Sequence, residues 1–124
     1  MTGIVVFAHG SRIESANEAV RDVARQMAES ENYQVEPAFL ELGKPDLAGA
    51  VERLVSRGAA RIIVIPYFLT LGTHLQRDLP RLAAQVARRY QNVEIQVTSP
   101  LDGHPALLQA LLDRANQASA KNAV

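Results

Sequence analysis

A chain of 124 residues with 48% hydrophobic side chains has enough apolar content to bury a core and too much to stay disordered. Its 13 basic and 13 acidic side chains cancel, which leaves no global field for nucleic acid, and no Trp with three Phe and three Tyr offers little for stacking bases. The absence of cysteine excludes disulfides, thiolate metal sites, iron–sulfur ligation and a cysteine nucleophile, so transition-metal chemistry falls to three His, the carboxylates and backbone oxygens.

In chain order, Gly3 to Ala8 is short, apolar and β-branched, the pattern of a buried strand. Glu14 to Glu31 sets Ala16, Val20, Val23, Ala24 and Met27 at helical spacing between charges and predicts an amphipathic helix. Gln34 to Leu42 predicts a second strand, and Pro37, which lacks a backbone donor, suits an edge or a bulge. A helix opens at Pro45-Asp46 and runs to about Arg57, with Leu47, Val51, Leu54 and Val55 inward and Gly58 placed to end it. Arg61 to Pro66 is the clearest central strand. Thr73 to Tyr90 predicts a third helix, interrupted or restarted near Pro80. Val93 to Val97 predicts the fourth strand. Pro105 to about Ser119 predicts the last helix, apolar at Leu107, Leu108, Leu111 and Leu112, and the tail from Ala120 to Val124 is expected to fray.

No apolar run reaches the roughly 18 residues that span a bilayer, the longest being Ile62 to Tyr67. Met1-Thr2-Gly3 has neither the basic start nor the long apolar stretch of a signal peptide, so a cytoplasmic protein forming one domain over residues 1–124 is expected. Regular β-α alternation predicts an α/β three-layer sandwich, flavodoxin-like, with a four-stranded parallel sheet in the order 2-1-3-4. Ligands of such folds bind beyond the carboxyl ends of the strands, where the strand order reverses.

That rule selects three segments: Ala8-His9-Gly10-Ser11-Arg12, Phe39-Leu40-Glu41-Leu42, and Pro66-Tyr67-Phe68-Leu69 with the following Thr70-Leu71-Gly72-Thr73-His74. His9 follows an apolar strand and precedes Gly10, which permits a tight turn and close approach of a ligand. Ser11 is placed to cap the next helix, whose backbone donors suit an anion. His9 either satisfies backbone groups at a strand end or ligates a metal, and His74, just inside the third helix after Gly72, is either a solvated first-turn residue or a second ligand. Neutral imidazole is a good ligand for cobalt, nickel, iron and zinc, and two imidazoles supply only part of a coordination shell, which suits a metal held briefly and passed on rather than a closed structural site. Alternation places Glu41 opposite Leu40 and Leu42, either as an exposed carboxylate or as a third ligand or proton acceptor. His104, between Gly103 and Pro105, suits the start of the last helix or a packing role. Arg12 and Arg77 are either solvated or meet substrate carboxylates. Asp78 and Pro80 suit local helix geometry, and Tyr67-Phe68-Leu69 lines either an apolar pocket or the core.

Taken together, these pieces resemble the class II tetrapyrrole chelatases in their short form, the small sirohydrochlorin cobaltochelatases of the CbiX type. The matching motifs are His9-Gly10-Ser11-Arg12 after a strand, Phe39-Leu40-Glu41-Leu42, Ile62-Ile63-Val64-Ile65-Pro66-Tyr67-Phe68-Leu69, Gly72-Thr73-His74 with Asp78-Leu79-Pro80, and Pro100-Leu101-Asp102-Gly103-His104-Pro105. They cover nearly the whole chain in order. The resemblance implies insertion of a divalent metal (cobalt, nickel or iron) into sirohydrochlorin, with the metal as substrate and no permanently bound cofactor. It implies His9 and His74 as metal-handling and catalytic residues, with Glu41 near the site. Ser11, Arg12, Gly72 and Thr73 are expected to contact the macrocycle. Long family members carry two such units with a shared cleft, so the resemblance implies a homodimer for this length, with no nucleic-acid or membrane partner. Sirohydrochlorin carries eight carboxylates and no concentrated basic patch matches them, which leaves backbone donors at helix N-termini or scattered Arg side chains. The competing readings are a non-catalytic metal carrier using the same two His, a flavodoxin-like interaction domain, and a histidine phosphatase. The last expects Arg before its His, where Ala8 stands here, and no phosphate-binding pattern of Gly and Lys is present.

Overall fold

The computed structural model describes residues 1–121. Strands β1 (Thr2–Ala8), β2 (Gln34–Phe39), β3 (Arg61–Pro66) and β4 (Glu94–Val97) alternate with helices α1 (Glu14–Glu31), α2 (Leu47–Ser56), α3 (Thr73–Ala87) and α4 (Pro105–Lys121). The strands form one parallel sheet in the order β2-β1-β3-β4, as the alternation predicts. The chain moves from β1 outward to β2 and then returns past β1 to β3. The reversal of strand order therefore falls between β1 and β3, at the carboxyl edge of the sheet.

β1 is buried from Gly3 to Ala8 because its two faces meet different helices. Val5 and Phe7, with Ala38, Ile62 and Val64, pack against Leu47, Ala50, Val51 and Leu54 of α2 and Leu79 and Val86 of α3. Val6, Ala8 and Phe39 pack against Val20 and Ala24 of α1. A strand covered on both sides needs an unbroken apolar run, and that run is what makes β1 and β3 readable in the sequence. Pro37 lies in β2, the edge strand, where a missing donor faces no further neighbour. Asp46 caps α2, its carboxylate accepting from the Gly49 N–H at 2.8 Å. Gly58 follows α2 with φ 100°, a left-handed value that favours glycine.

Four expectations need correction. β2 ends at Phe39 rather than Leu42, because Leu42 turns into the left-handed region at φ 58°; Leu40, Glu41 and Leu42 are all exposed loop residues, so strand alternation does not orient Glu41. α3 runs without a break through Pro80 and ends at Ala87 rather than Tyr90. Pro80 removes one backbone bond, but Leu79, Ala83 and Val86 around it are buried, and their packing keeps the helix continuous. On α1, Ala16 is exposed and Asn17 takes the inward place on the stripe with Val20 and Ala24. Most consequential, among the described residues α4 makes no substantial contact with any other element, and Leu108, Leu111 and Leu112 stand exposed. Of the tail expected to fray, Ala120 and Lys121 belong to α4, and residues 122–124 lie outside the described residues.

The missing helix leaves half of one sheet face bare. Ile62 and Val64 point to the α2–α3 side, so alternation turns Ile63 and Ile65 to the α1 side, where they are only half-buried, beside exposed Glu94 and Gln96 of β4. Among the described residues no helix is long and apolar enough to cross a membrane.

Core packing and capping make separable contributions. Leu54→Ala empties a fully buried position and is expected to cost about 2–5 kcal/mol. Asp46→Ala removes one cap and is expected to cost about 1 kcal/mol. Urea unfolding of both variants checks this, and a larger loss for Asp46→Ala would contradict the packing described.

Candidate functional site

The carboxyl edge is organised by backbone bonds that continue past the ends of the strands. Leu40 N–H donates to the Ala8 carbonyl at 2.9 Å and Glu41 N–H to the His9 carbonyl at 3.1 Å. The turns after β1 and β2 thus run side by side for two more residues. Gly10, at φ 95°, is pressed so closely on this neighbour that a Cβ there would stand 1.7 Å from the Glu41 carbonyl oxygen. Only glycine fits, for both the φ and the space.

This pairing brings two predicted residues together. His9 Nε2 lies 3.2 Å from Glu41 Oε1, with both side chains more than half exposed. A carboxylate only accepts, so the contact is attractive when Nε2 carries a proton, and in the neutral ring that leaves the lone pair on Nδ1. The ring of Phe68 stands edge-on to His9, centroids 6.3 Å apart and planes at 89°, and itself packs against buried Phe7. Tyr67 N–H donates to the Phe7 carbonyl at 2.7 Å, which ties the segment after β3 to the end of β1. Phe68 therefore serves as the wall on which His9 leans.

His74 occupies the first turn of α3, exposed, with Nδ1 3.3 Å from Arg77 Nη2. A guanidinium only donates, so this bond leaves the His74 proton on Nε2. A metal reaches a lone pair of His74 only if Arg77 lets go. Among the described residues no hydrogen bond or ion pair links His74 to His9, and no three His, Asp or Glu side chains are gathered as a metal-binding group. Gly72 is the N-cap of α3, in an extended conformation that any residue adopts, and no side chain caps the helix. Gln76 N–H bonds to the Gly72 carbonyl, which leaves the N–H groups of the first turn, at Thr73 and His74, facing the carboxyl edge.

Ser11 does not cap α1. The N-cap is Ile13, and the Ser11 hydroxyl accepts from the Ile13 N–H at 3.0 Å. The Ser11 N–H is itself engaged, by the side chain of Asn17, and is not free for a ligand. Arg12 is exposed beside it. Arg77 approaches Asp78 as well as His74. His104 caps α4, its Nδ1 accepting from the Ala106 N–H at 3.0 Å, which is the helix-start role its sequence position suits.

Sequence reasoning passed over Asn17 and gave Phe68 no specific partner. The signal for Asn17 was present: a polar residue three and seven positions before Val20 and Ala24 lies on the inward stripe. Nearby, the Arg21 guanidinium, with the Asn17 amide, holds the Glu14 carboxyl below the ordinary carboxylate range.

With this geometry described, comparison with known proteins gives one family. A family model described as CbiX matches residues 3–118. The sirohydrochlorin ferrochelatase, chloroplastic, of Arabidopsis thaliana is 35% identical over 113 residues, covering 90% of this chain and 50% of that protein, so this chain spans half of its length. The sirohydrochlorin cobaltochelatase of Saccharolobus solfataricus is 35% identical over 131 residues, covering 98% of this chain and 99% of that protein. The crystal structure of a cobalamin (vitamin B12) biosynthesis CbiX protein from Marinobacter aquaeolei superposes with a TM-score of 0.87 at 27% identity, covering 98% of this chain and 100% of that one. Alike from end to end in both sequence and backbone, this chain belongs to the CbiX family.

Proposed function

We propose that this protein inserts a divalent metal, cobalt with nickel or iron as alternatives, into sirohydrochlorin, and that His9, His74 and Glu41 do the chemistry. The observation that carries the reading is the His9–Glu41 pair, held 3.2 Å apart at the carboxyl edge in a chain whose family relatives are named for sirohydrochlorin chelation. The metal is a substrate, and no permanent cofactor is required.

Metal insertion must remove two pyrrole N–H protons, so a base has to stand over the ring. Once the metal has left it, His9 takes one proton, Glu41 pairs with the imidazolium that results, and this exposed pair passes the proton to solvent before His9 takes the second. His74, once released by Arg77, offers the second imidazole, and an unfinished set of two nitrogens holds the metal weakly enough to give it up. The unsatisfied N–H groups around Thr73 at the start of α3 suit a macrocycle carboxylate, with Arg12 and Arg77 as further cationic partners and Ser11 and Gly72 flanking the ring. Phe68 gives the macrocycle an apolar edge beside His9.

The working form in this reading is a homodimer in the cytoplasm, without nucleic-acid or membrane partners. Two unpartnered surfaces of one chain support a second copy: the leucines of α4 and the half-bare sheet face at Ile63 and Ile65. An apolar groove of about 630 Å³ joins α4 to the edge of the site, lined by Leu69, His104, Pro105, Leu108 and Leu111. A relative of twice the length, such as the Arabidopsis protein, has room for a second unit within one chain.

Chelation followed by the absorbance of sirohydrochlorin with Co²⁺ tests the chemistry. His9→Ala and His74→Ala are each expected to lower the rate by about 100-fold or more with the fold intact, and Glu41→Gln by less. Wild-type turnover in His74→Ala removes that residue from the mechanism, wild-type turnover in His9→Ala as well removes the two-imidazole mechanism, and a native chain that binds Co²⁺ without turnover is a metal carrier. Analytical ultracentrifugation tests the assembly. The native chain is expected to sediment as a dimer and the Leu108→Asp, Leu111→Asp double variant as a single chain; a native monomer refutes the dimer.

A further inference from the structure

Two polar side chains are buried among the described residues, Asn17 and Glu36. Glu36 lies within β2 and is neutralised by Arg57 at 3.0 Å and Arg53 at 3.7 Å. Asn17 has no charge to neutralise, and its place on α1 is one that apolar residues fill one and two turns later. The geometry points to Asn17 as a positioning residue of the chelation reaction: it binds the turn after β1 to the turn after β2 and so fixes where His9 stands relative to Glu41. This rests on the proposed function above.

Asn17 Oδ1 accepts from the Ser11 N–H at 2.9 Å. Its Nδ2 donates to the Ser11 carbonyl at 2.8 Å and to the Leu42 carbonyl at 2.9 Å, with a longer contact to Glu14 Oε2 at 3.4 Å. The amide has two N–H donors, and both are used; the partners also fix which end of the amide is oxygen, since an N–H must meet Oδ1 and carbonyls must meet Nδ2. Ser11 comes two residues after His9, and Leu42 comes one after Glu41. One side chain thus grips both turns just beyond the reacting pair. Leu42 is also a left-handed residue with a bulky side chain, at φ 58°, and the Asn17 bond to its carbonyl holds that conformation. No other side chain of this length does all three jobs. Asp cannot donate to two carbonyls, an apolar residue takes the partner from three backbone groups at this part-buried place, and Gln is longer by one methylene.

A residue that acts through position should change the rate of the bound complex more than its formation. Asn17→Asp, which keeps the acceptor and loses the donations to both carbonyls, and Asn17→Ala, which removes the three bonds to backbone and the contact with Glu14 without adding charge, are measured beside Glu36→Gln as a buried polar control. Both Asn17 variants are expected to lower kcat about tenfold or more, as misplacement of reacting groups does. KM for sirohydrochlorin should stay within about twofold, the sign that uniform binding is kept. Glu36→Gln should lower the unfolding midpoint and leave kcat alone. A folded Asn17 variant with wild-type kcat overturns the proposal, as does a fall in kcat that Glu36→Gln reproduces. If neither Asn17 variant folds, Asn17 serves folding alone and the proposal is equally overturned. His9→Ala separates the two levels: full activity there defeats the chelatase mechanism, whereas a dead His9→Ala with an unimpaired Asn17→Asp defeats only the positioning role.

Discussion

The parallel pairing of β1 with β2 does not stop where the strands stop, and the geometry of the carboxyl edge depends on that. Two further backbone bonds carry the ladder into the turns, at Leu40 and Glu41, and Gly10 lets the turns touch. A side chain at residue 10 would force the turns apart and separate His9 from Glu41 with them. The pair is therefore held by backbone, not by its own attraction. Two exposed charged groups in water attract by about 0–1 kcal/mol, too little to order two side chains on mobile loops. Placed by the ladder, they meet without having to find each other.

The same weakness bears on chemistry. The His9–Glu41 contact lies open to solvent, where a high dielectric mutes it. A flat macrocycle laid over His9 and Phe68 would exclude that water and strengthen the pairing of Glu41 with a protonated ring. His74 follows a complementary logic, since its contact with Arg77 is also exposed and easily exchanged for a metal or a carboxylate. Both imidazoles are held only by exposed contacts, which suits the proposed handling of a metal that is passed on.

Strand order, the burial of β1 and β3 and the capping of α2 were all legible, because each follows from a local pattern: an unbroken apolar run, a β-α alternation, an Asp before a helical stripe. Of the candidate site, the meeting of His9 and Glu41 was legible, because both fall at strand ends which the strand order makes neighbours. What escaped was set by contacts distant in sequence. β2 ends early because Leu42 adopts a left-handed turn held from α1, twenty-five residues away, and nothing around Leu42 announces it. Pro80 suggests a break, yet packing of Leu79 and Val86 outweighs one lost backbone bond. Asn17 reads as an ordinary polar residue of an amphipathic helix until the two turns it joins are seen together.

The last helix shows the limit of reading a fold from one chain. Its apolar spacing predicts an inward face, and the leucines do line one side, but the sheet beneath is not where that side goes. The uncovered sheet face offers Ile63 and Ile65 next to Glu94 and Gln96, a mixed surface that gives α4 only part of what its leucines need. Exposed leucines at three positions of one helix are an expensive way to end a monomer, since each buried leucine contributes about 1.5–3 kcal/mol. The groove they form opens toward Leu69, in the segment that follows β3 and precedes His74. A second copy seated there would cover the leucines and also border the site, so that assembly and catalysis would share one surface. On that arrangement the pattern in the sequence is correct about burial and silent only about which chain provides it.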